Sequence, residues 1–228
     1  MKFISPLVAV LLLFSLPVRA EFVLSEMILD FADKAPRARD IEIISKAKDT
    51  QYIATETYLV ENPGLADEKR TLKTDPTKSG LMITPNKLAL AGEARKLMRF
   101  LLLAQQAEKD IIYRVTVKPV IQGIGETKQK LALKVLVGYE VLVIVRPKDA
   151  KVDLVAERKG NSLTLINQGN TNAYLQSGEQ CNATGGDCQK LSTSRIYAGQ
   201  RWTTTLPYGD GVVKYAVNDG TETKNFEY

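Results

Sequence analysis

Apolar positions along this 228-residue chain cluster in short runs, and helical spacing is almost absent. Strand-like runs recur, bounded by Gly, Pro, Asn and Asp. They are "FVLSEMILDF" (Phe22–Phe31), "DIEIISKA" (Asp40–Ala47), "QYIATETYLV" (Gln51–Val60), "GLMITP" (Gly80–Pro85), "KLALAG" (Lys87–Gly92), "KLMRFLLL" (Lys96–Leu103) and "DIIYRVTVKPV" (Asp110–Val120). Ala91–Leu103 also admits an amphipathic helix; a strand entered from a turn at Gly92 is the preferred expectation. The polar stretch Asp67–Lys78 is expected to be a surface loop. "GIGETKQK" (Gly123–Lys130) is expected to be a hairpin loop, since it lacks the strand–loop–helix setting of a phosphate cradle.

The run "LALKVLVGYEVLVIVRP" (Leu131–Pro147) departs from the pattern. Leu131, Leu133, Val135, Val137 and Tyr139 fall on one face of a strand, and Leu136, Leu142 and Ile144 on the other. A strand apolar on both faces needs two covers. Either both faces are buried, by a sheet-on-sheet core and by a second domain, or the upstream half is left open to add to another chain by strand pairing. With this run the first half holds enough strands for one immunoglobulin-like sandwich.

Arg146-Pro147-Lys148-Asp149 breaks the run, because proline removes a ladder donor and charges follow. Beyond it the strands are shorter and more polar, which predicts a smaller β-domain over 148–228 after a first domain over 21–147. The fold class expected is therefore all-β in two domains.

The first residues, "MKFISPLVAVLLLFSLPVRAE", carry Lys2, an apolar core from Val8 to Leu16 and a small-x-small site at Val18–Ala20. That is the form of a secretory signal, with cleavage expected after Ala20. Its apolar core is short for the ~20 residues of a spanning helix. Loss of Lys2 and Arg19 would reduce the formal charge from +5 to +3, too little to argue for nucleic acid. In an exported chain, Cys181 and Cys188 most simply form a disulfide; their spacing does not suit a metal or a redox pair. The chain has no histidine, which removes Ser-His-Asp and Cys-His catalysis and His-based zinc sites. No paired carboxylates or phosphate loop take their place, so no enzyme activity, cofactor or metal is expected.

Several stretches together, "QYIATETYLVENPG", "LMITPNKLALAGEARKLMRF", "DIIYRVTVKPV" and the long strand ending in "RP", resemble the periplasmic chaperones of fimbrial (pilus) assembly. The similarity is greatest to their alternate branch serving colonisation-factor or alpha-type fimbriae, and "CNATGGDC" fits it too. The resemblance implies two immunoglobulin-like β-sandwiches in an L-shaped, PapD-like arrangement. It implies a periplasmic partner for pilin subunits that lends its long strand to the subunit, hands it to an outer-membrane usher, and uses no ATP or cofactor. It places Leu131, Leu133, Val135 and Val137 at the donor positions.

In the better-known branch two basic residues anchor the subunit's terminal carboxylate, and here those places hold Ile28 and Leu142. Arg114, on the strand expected to pair with the donor strand, is the substitute candidate; a solvated strand-face arginine is the alternative. Arg99, Arg146 and Asp219 match charged positions near the domain junction and are expected to form interdomain ion pairs, and Thr84-Pro85 matches a turn where a cis bond is open. Self-association of the free chain stays open as well. The competing functions are a structural or adhesive fibre subunit, which would usually be one domain lacking its last strand, and an exported enzyme or carbohydrate-binding module.

Overall fold

The computed structural model describes residues 21–120 and 136–228, and within them builds two β-sandwiches in tandem. The first contains β1 (Phe22–Leu24), β2 (Ile28–Phe31), β3 (Ala38–Ser45), β4 (Gln51–Glu61), β5 (Lys69–Lys73), a helical turn α1 (Pro76–Ser79), β6 (Leu81–Thr84), β7 (Lys87–Leu90), β8 (Arg95–Leu102), β9 (Ile111–Pro119) and β10 (Tyr139–Val145). One sheet runs β1-β3-β8-β6. The other runs β2-β10-β9-β4-β5, with β7 also on β4. The second sandwich packs β11 (Leu154–Lys159), β12 (Ser162–Asn167) and β16 (Arg201–Thr205) against β13 (Ala173–Cys181), β14 (Cys188–Leu191), β15 (Arg195–Ile196), β17 (Val213–Asn218) and β18 (Thr223–Glu227).

Alternation places the cores. Tyr113, Val115 and Val117 of β9 and Val141, Val143 and Val145 of β10 point into the first sandwich, facing Phe22, Leu29, Phe31, Ile41, Ile43, Met98 and Phe100. The register Val143↔Tyr113 and Leu142↔Arg114 fixes this; a slip by one residue would turn every valine outward. Leu163, Leu165, Leu175, Val213, Tyr215 and Val217 form a separate core in the second sandwich.

Ala91–Leu103 holds a turn at Gly92 followed by the strand β8 (Arg95–Leu102), as expected. Two expectations change. The run Phe22–Phe31 is two strands in different sheets: buried positions shift from Phe22, an even number, to Leu29 and Phe31, odd numbers. One straight strand cannot make that parity change. The segment Asp67–Lys78 is not merely a loop, for it contains β5 and α1. β5 is an edge strand with no buried residue, so it lacks the apolar face by which a strand is recognised in sequence. Its Lys and Arg side chains suit an edge that must not recruit other chains. α1 is capped by Asp75, which accepts from the Thr77 amide at 3.0 Å, and by left-handed Gly80. A Cβ at Gly80 would lie 2.5 Å from the Ala104 Cβ. The Thr84-Pro85 peptide is cis.

Cys181 and Cys188 are disulfide-bonded and stand directly opposite each other on β13 and β14.

Candidate functional site

The two sandwiches meet at the outer face of the β2-β10-β9-β4-β5 sheet. Val60, Ile112, Leu142 and Ile144 project there, and Tyr197 of the second sandwich closes over them as a small third core. β10 is thus buried on both faces in its downstream half, one face by its own sandwich and the other by the second. Four such side chains stabilise the junction by roughly 1.5–3 kcal/mol each if fully covered.

Polar contacts fix the same junction. Arg146 is only 1% exposed. It donates through Nε and Nη2 to Asp30 at 2.8 Å each, and through Nη1 to the Thr171 hydroxyl at 2.6 Å. Thr171 in turn donates to Asp110 at 2.7 Å, and the Asn172 amide and side chain donate to the same carboxylate at 2.6 and 2.7 Å. Burial pushes the Asp110 carboxyl above its usual range, against those hydrogen bonds and the nearby Arg146. Arg195 donates to the Asn172 side chain and covers the Tyr174 ring at 4.6 Å. Gln200 reaches the Pro63 carbonyl at 2.9 Å.

Of the three residues expected in interdomain ion pairs, Arg146 is at the junction, but its carboxylate partner is Asp30 of β2. Arg99 pairs instead with Asp40 on the neighbouring strand β3, both nitrogens at 2.7 Å on a solvent-facing side. Asp219 makes no ion pair among the described residues' contacts; its carboxylate caps its own turn, accepting from the Thr221 and Glu222 amides at 2.8 and 2.9 Å. The correction has a physical cause, since an Asp at a β-turn is satisfied locally by free amides. Its turn still reaches the junction, for Gly220 lies against Arg146, and a Cβ there would be 2.0 Å from Nε.

A single cross-strand row runs over the outer face: Ile28, Leu142, Arg114, Tyr58 and Leu72. Ile28 and Leu142, the two positions where the better-known branch carries cations, are neighbours in it. Arg114 is the next residue along, one strand spacing of ~4.8 Å away. Arg114 is 25% exposed, and its Nε is buried without a hydrogen-bond partner. Beside it, Arg70 donates to Glu140 at 2.6 Å and to Glu68 at 2.7 Å. The Gly64 amide, and then Arg70, hold the Glu68 carboxyl below its usual range. Sequence reasoning misses Arg70, Glu68 and Glu140, because the first two stand in an apparent loop.

Leu131, Leu133 and Val135 lie outside the described residues. Val137 is 37% exposed and precedes β10 without strand pairing. β2 accompanies β10 only along Leu142–Val145. Tyr139–Val141 therefore pair with β9 but have no described strand on the other edge. No thiolate or histidine lies near this face to hold a metal, the two cysteines being joined on the second sandwich.

No protein-family model matches the chain. It is 35% identical over 173 residues to a CS1 fimbrial subunit of Escherichia coli, covering 72% of each chain. It is 27% identical over 175 residues to a CFA/I fimbrial subunit of the same organism, covering 73% of each. Among solved structures it is similar to the class 5 fimbriae chaperone CfaA, with a TM-score of 0.68 at 23% identity over 91% of this chain and 97% of that one. It is also similar to a chain of the Salmonella enterica complex of SafA pilin with the SafB chaperone, with a TM-score of 0.64 at 15% identity over 93% and 98%.

Proposed function

The chain belongs to the PapD-like family of fimbrial assembly chaperones, on the branch of the CS1 and CFA/I proteins, and from that premise we propose that it captures pilin subunits in the periplasm and passes them to an outer-membrane usher. The observation that carries this reading is the edge of β10. The strand is apolar on both faces, is built into its own sandwich and under the second, and along Tyr139–Val141 has no described strand on its second edge. An extended strand of a partner can add there with backbone hydrogen bonds. The apolar alternation of Leu131, Leu133, Val135 and Val137 would continue the same strand into the partner's core. The first domain ends at Arg146-Pro147, the second takes 148–228, and residues 1–20 act as a cleaved export signal.

Arg114 is the anchor for the subunit's terminal carboxylate. A partly sheltered guanidinium whose Nε makes no hydrogen bond suits a carboxylate by charge and by its fork of donors.

Periplasmic co-expression with the pilin from the same operon, followed by affinity recovery, tests the reading. Leu133→Asp and Val137→Asp are expected to abolish recovery of the subunit while the chaperone itself accumulates. Undiminished recovery would sink the donor-strand assignment. The relatives named as fimbrial subunits raise a second reading, a component of the fibre itself. Finding the chain in shed fibres instead of the periplasm would favour that reading.

A further inference from the structure

Arg114 sits beside a carboxylate it does not grip. The Glu140 Oε1 lies 3.6 Å from its Nε, beyond a hydrogen bond, while the other oxygen of Glu140 is bound by Arg70 at 2.6 Å. The two acids of this cluster differ in how firmly they are held. Glu68 is 17% exposed and tied from both sides, by the Gly64 amide at 2.7 Å and by Arg70. Glu140 is 35% exposed, has one short bond, and faces solvent on its remaining side. Lys118 pairs with Glu56 at 2.7 Å, so among the described residues the cations that contact Glu140 are Arg70 and, more loosely, Arg114. As it stands the cluster is neutral, two guanidiniums against two carboxylates, and still leaves a buried N–H unused. An unmade buried hydrogen bond is unfavourable, so the site is better matched to a carboxylate other than its own.

Resting on the reading of Arg114 given above, we infer that Glu140 is a resident stand-in: it occupies a two-arginine site formed by Arg114 and Arg70, and the terminal carboxylate of a captured subunit displaces it toward solvent. A polypeptide end fits better than a free inorganic anion, because the row through Arg114 ends in exposed Ile28 and Leu72. Glu140 also belongs to the segment Tyr139–Val141, which has no described strand on its second edge. A partner strand adding to that edge passes the same residue whose carboxylate must yield, so filling the edge and filling the anchor are coupled. Without a partner, Glu140 keeps both arginines neutralised and lowers their pull on unrelated anions.

Fluorescence anisotropy with the full-length chaperone tests this. The probe is a labelled peptide of the pilin's last residues, as free acid and as C-terminal amide. Glu140→Gln is expected to bind the acid about two- to five-fold more tightly than the wild type, the range of a single partly screened charge pair, and to bind the amide no differently. Glu140→Ala should behave alike, and unchanged thermal melting confirms that both fold. Arg70→Ala should weaken acid binding and cancel the gain when combined with Glu140→Gln. If Arg114→Ala weakens the acid while neither Glu140 variant strengthens it, the stand-in is wrong and the anchor survives. If Arg114→Ala leaves the acid-to-amide ratio unchanged, the anchor reading itself fails.

Discussion

Replacing Arg146 by alanine should uncouple the two sandwiches. Arg146 ends the first domain's last strand, donates two charge-assisted bonds to Asp30 in the same domain, and gives one to Thr171 in the other. With 1% of the side chain exposed, water cannot replace those partners. Removing one member of a buried, hydrogen-bonded ion pair costs about 3–5 kcal/mol, and Asp30 and Thr171 would each lose a partner. Asp30 is more accessible, so Asp30→Asn should cost less, about 1–3 kcal/mol.

Urea unfolding provides the assay. Trp202, the sole tryptophan, belongs to the second sandwich, 6.2 Å from the Tyr215 ring, so its fluorescence reports that domain while far-ultraviolet circular dichroism reports both. In the wild type the junction couples the domains and the two probes should give coincident transitions. In Arg146→Ala the midpoint should fall by about 1–2 M, given a slope of a few kcal/mol/M, and the probes should separate. Thr171→Val should separate them with a smaller fall, because it removes the Arg146 and Asp110 contacts across the junction but leaves the Arg146–Asp30 pair in place. Coincident, unshifted transitions in Arg146→Ala would refute the assignment of Arg146 as the coupling residue.

Gly220→Ala introduces a Cβ against the Arg146 guanidinium at a backbone φ of 98°, and should destabilise by roughly 2–4 kcal/mol from strain and displacement together; in the Arg146→Ala background this cost should shrink, and equal costs in both backgrounds would show that the contact is not the cause. Cys181→Ser with Cys188→Ser should lower the stability of the second sandwich by roughly 2–2.5 kcal/mol on chain-entropy grounds, visible as an earlier Trp202 transition under otherwise identical conditions. Glu68→Gln tests the charge cluster by pH. The Glu68 carboxyl is held below its usual range, so its contribution is complete above the unfolded value near 4.3 and is lost as the pH falls through the lowered one. Wild type should therefore exceed Glu68→Gln by about 0.2–1 kcal/mol near neutrality and lose that margin on acidification below pH about 4. A margin that grows on acidification would reverse the assigned sign.

Strands were legible in the sequence where one face was buried, because alternation is then obligatory, as in Tyr113, Val115 and Val117 of β9; in β10, buried on both faces, the pattern could not say where the strand begins, and it begins at Tyr139. β5 was illegible because it has no buried face, and Arg70 and Glu68 were hidden with it. The junction charges were half legible. Arg146 beside Pro147 stood out, but its partner depended on β2 running parallel to β10, a long-range pairing of Ile28 with Leu142 that local pattern does not contain. Asp219 was placed in an ion pair because it matches a charged position of the resembled family, whereas a turn supplies free amides that an Asp satisfies without any distant cation.

The apolar second face of β10 is explained in its downstream half by the second sandwich. Ile144 and Leu142 are covered by Tyr197, and Val141, Val143 and Val145 on the other face by their own core. That cover stops before Glu140, the next residue on the same face, where charges replace the apolar surface and β2 no longer accompanies the strand. A leucine at position 142 is therefore not a missing cation. It is the last residue of the interdomain core, and Arg114, the proposed anchor, stands one strand to its side. Leu142→Lys should not create a better anchor: it should put a charge under Tyr197, destabilise the junction by the several kcal/mol that burying an unpaired cation costs, and lower subunit capture. If Leu142→Lys instead folds normally and binds the free-acid peptide more tightly, the cleft tolerates a cation at that place and the division between an apolar junction and a displaced anchor is wrong.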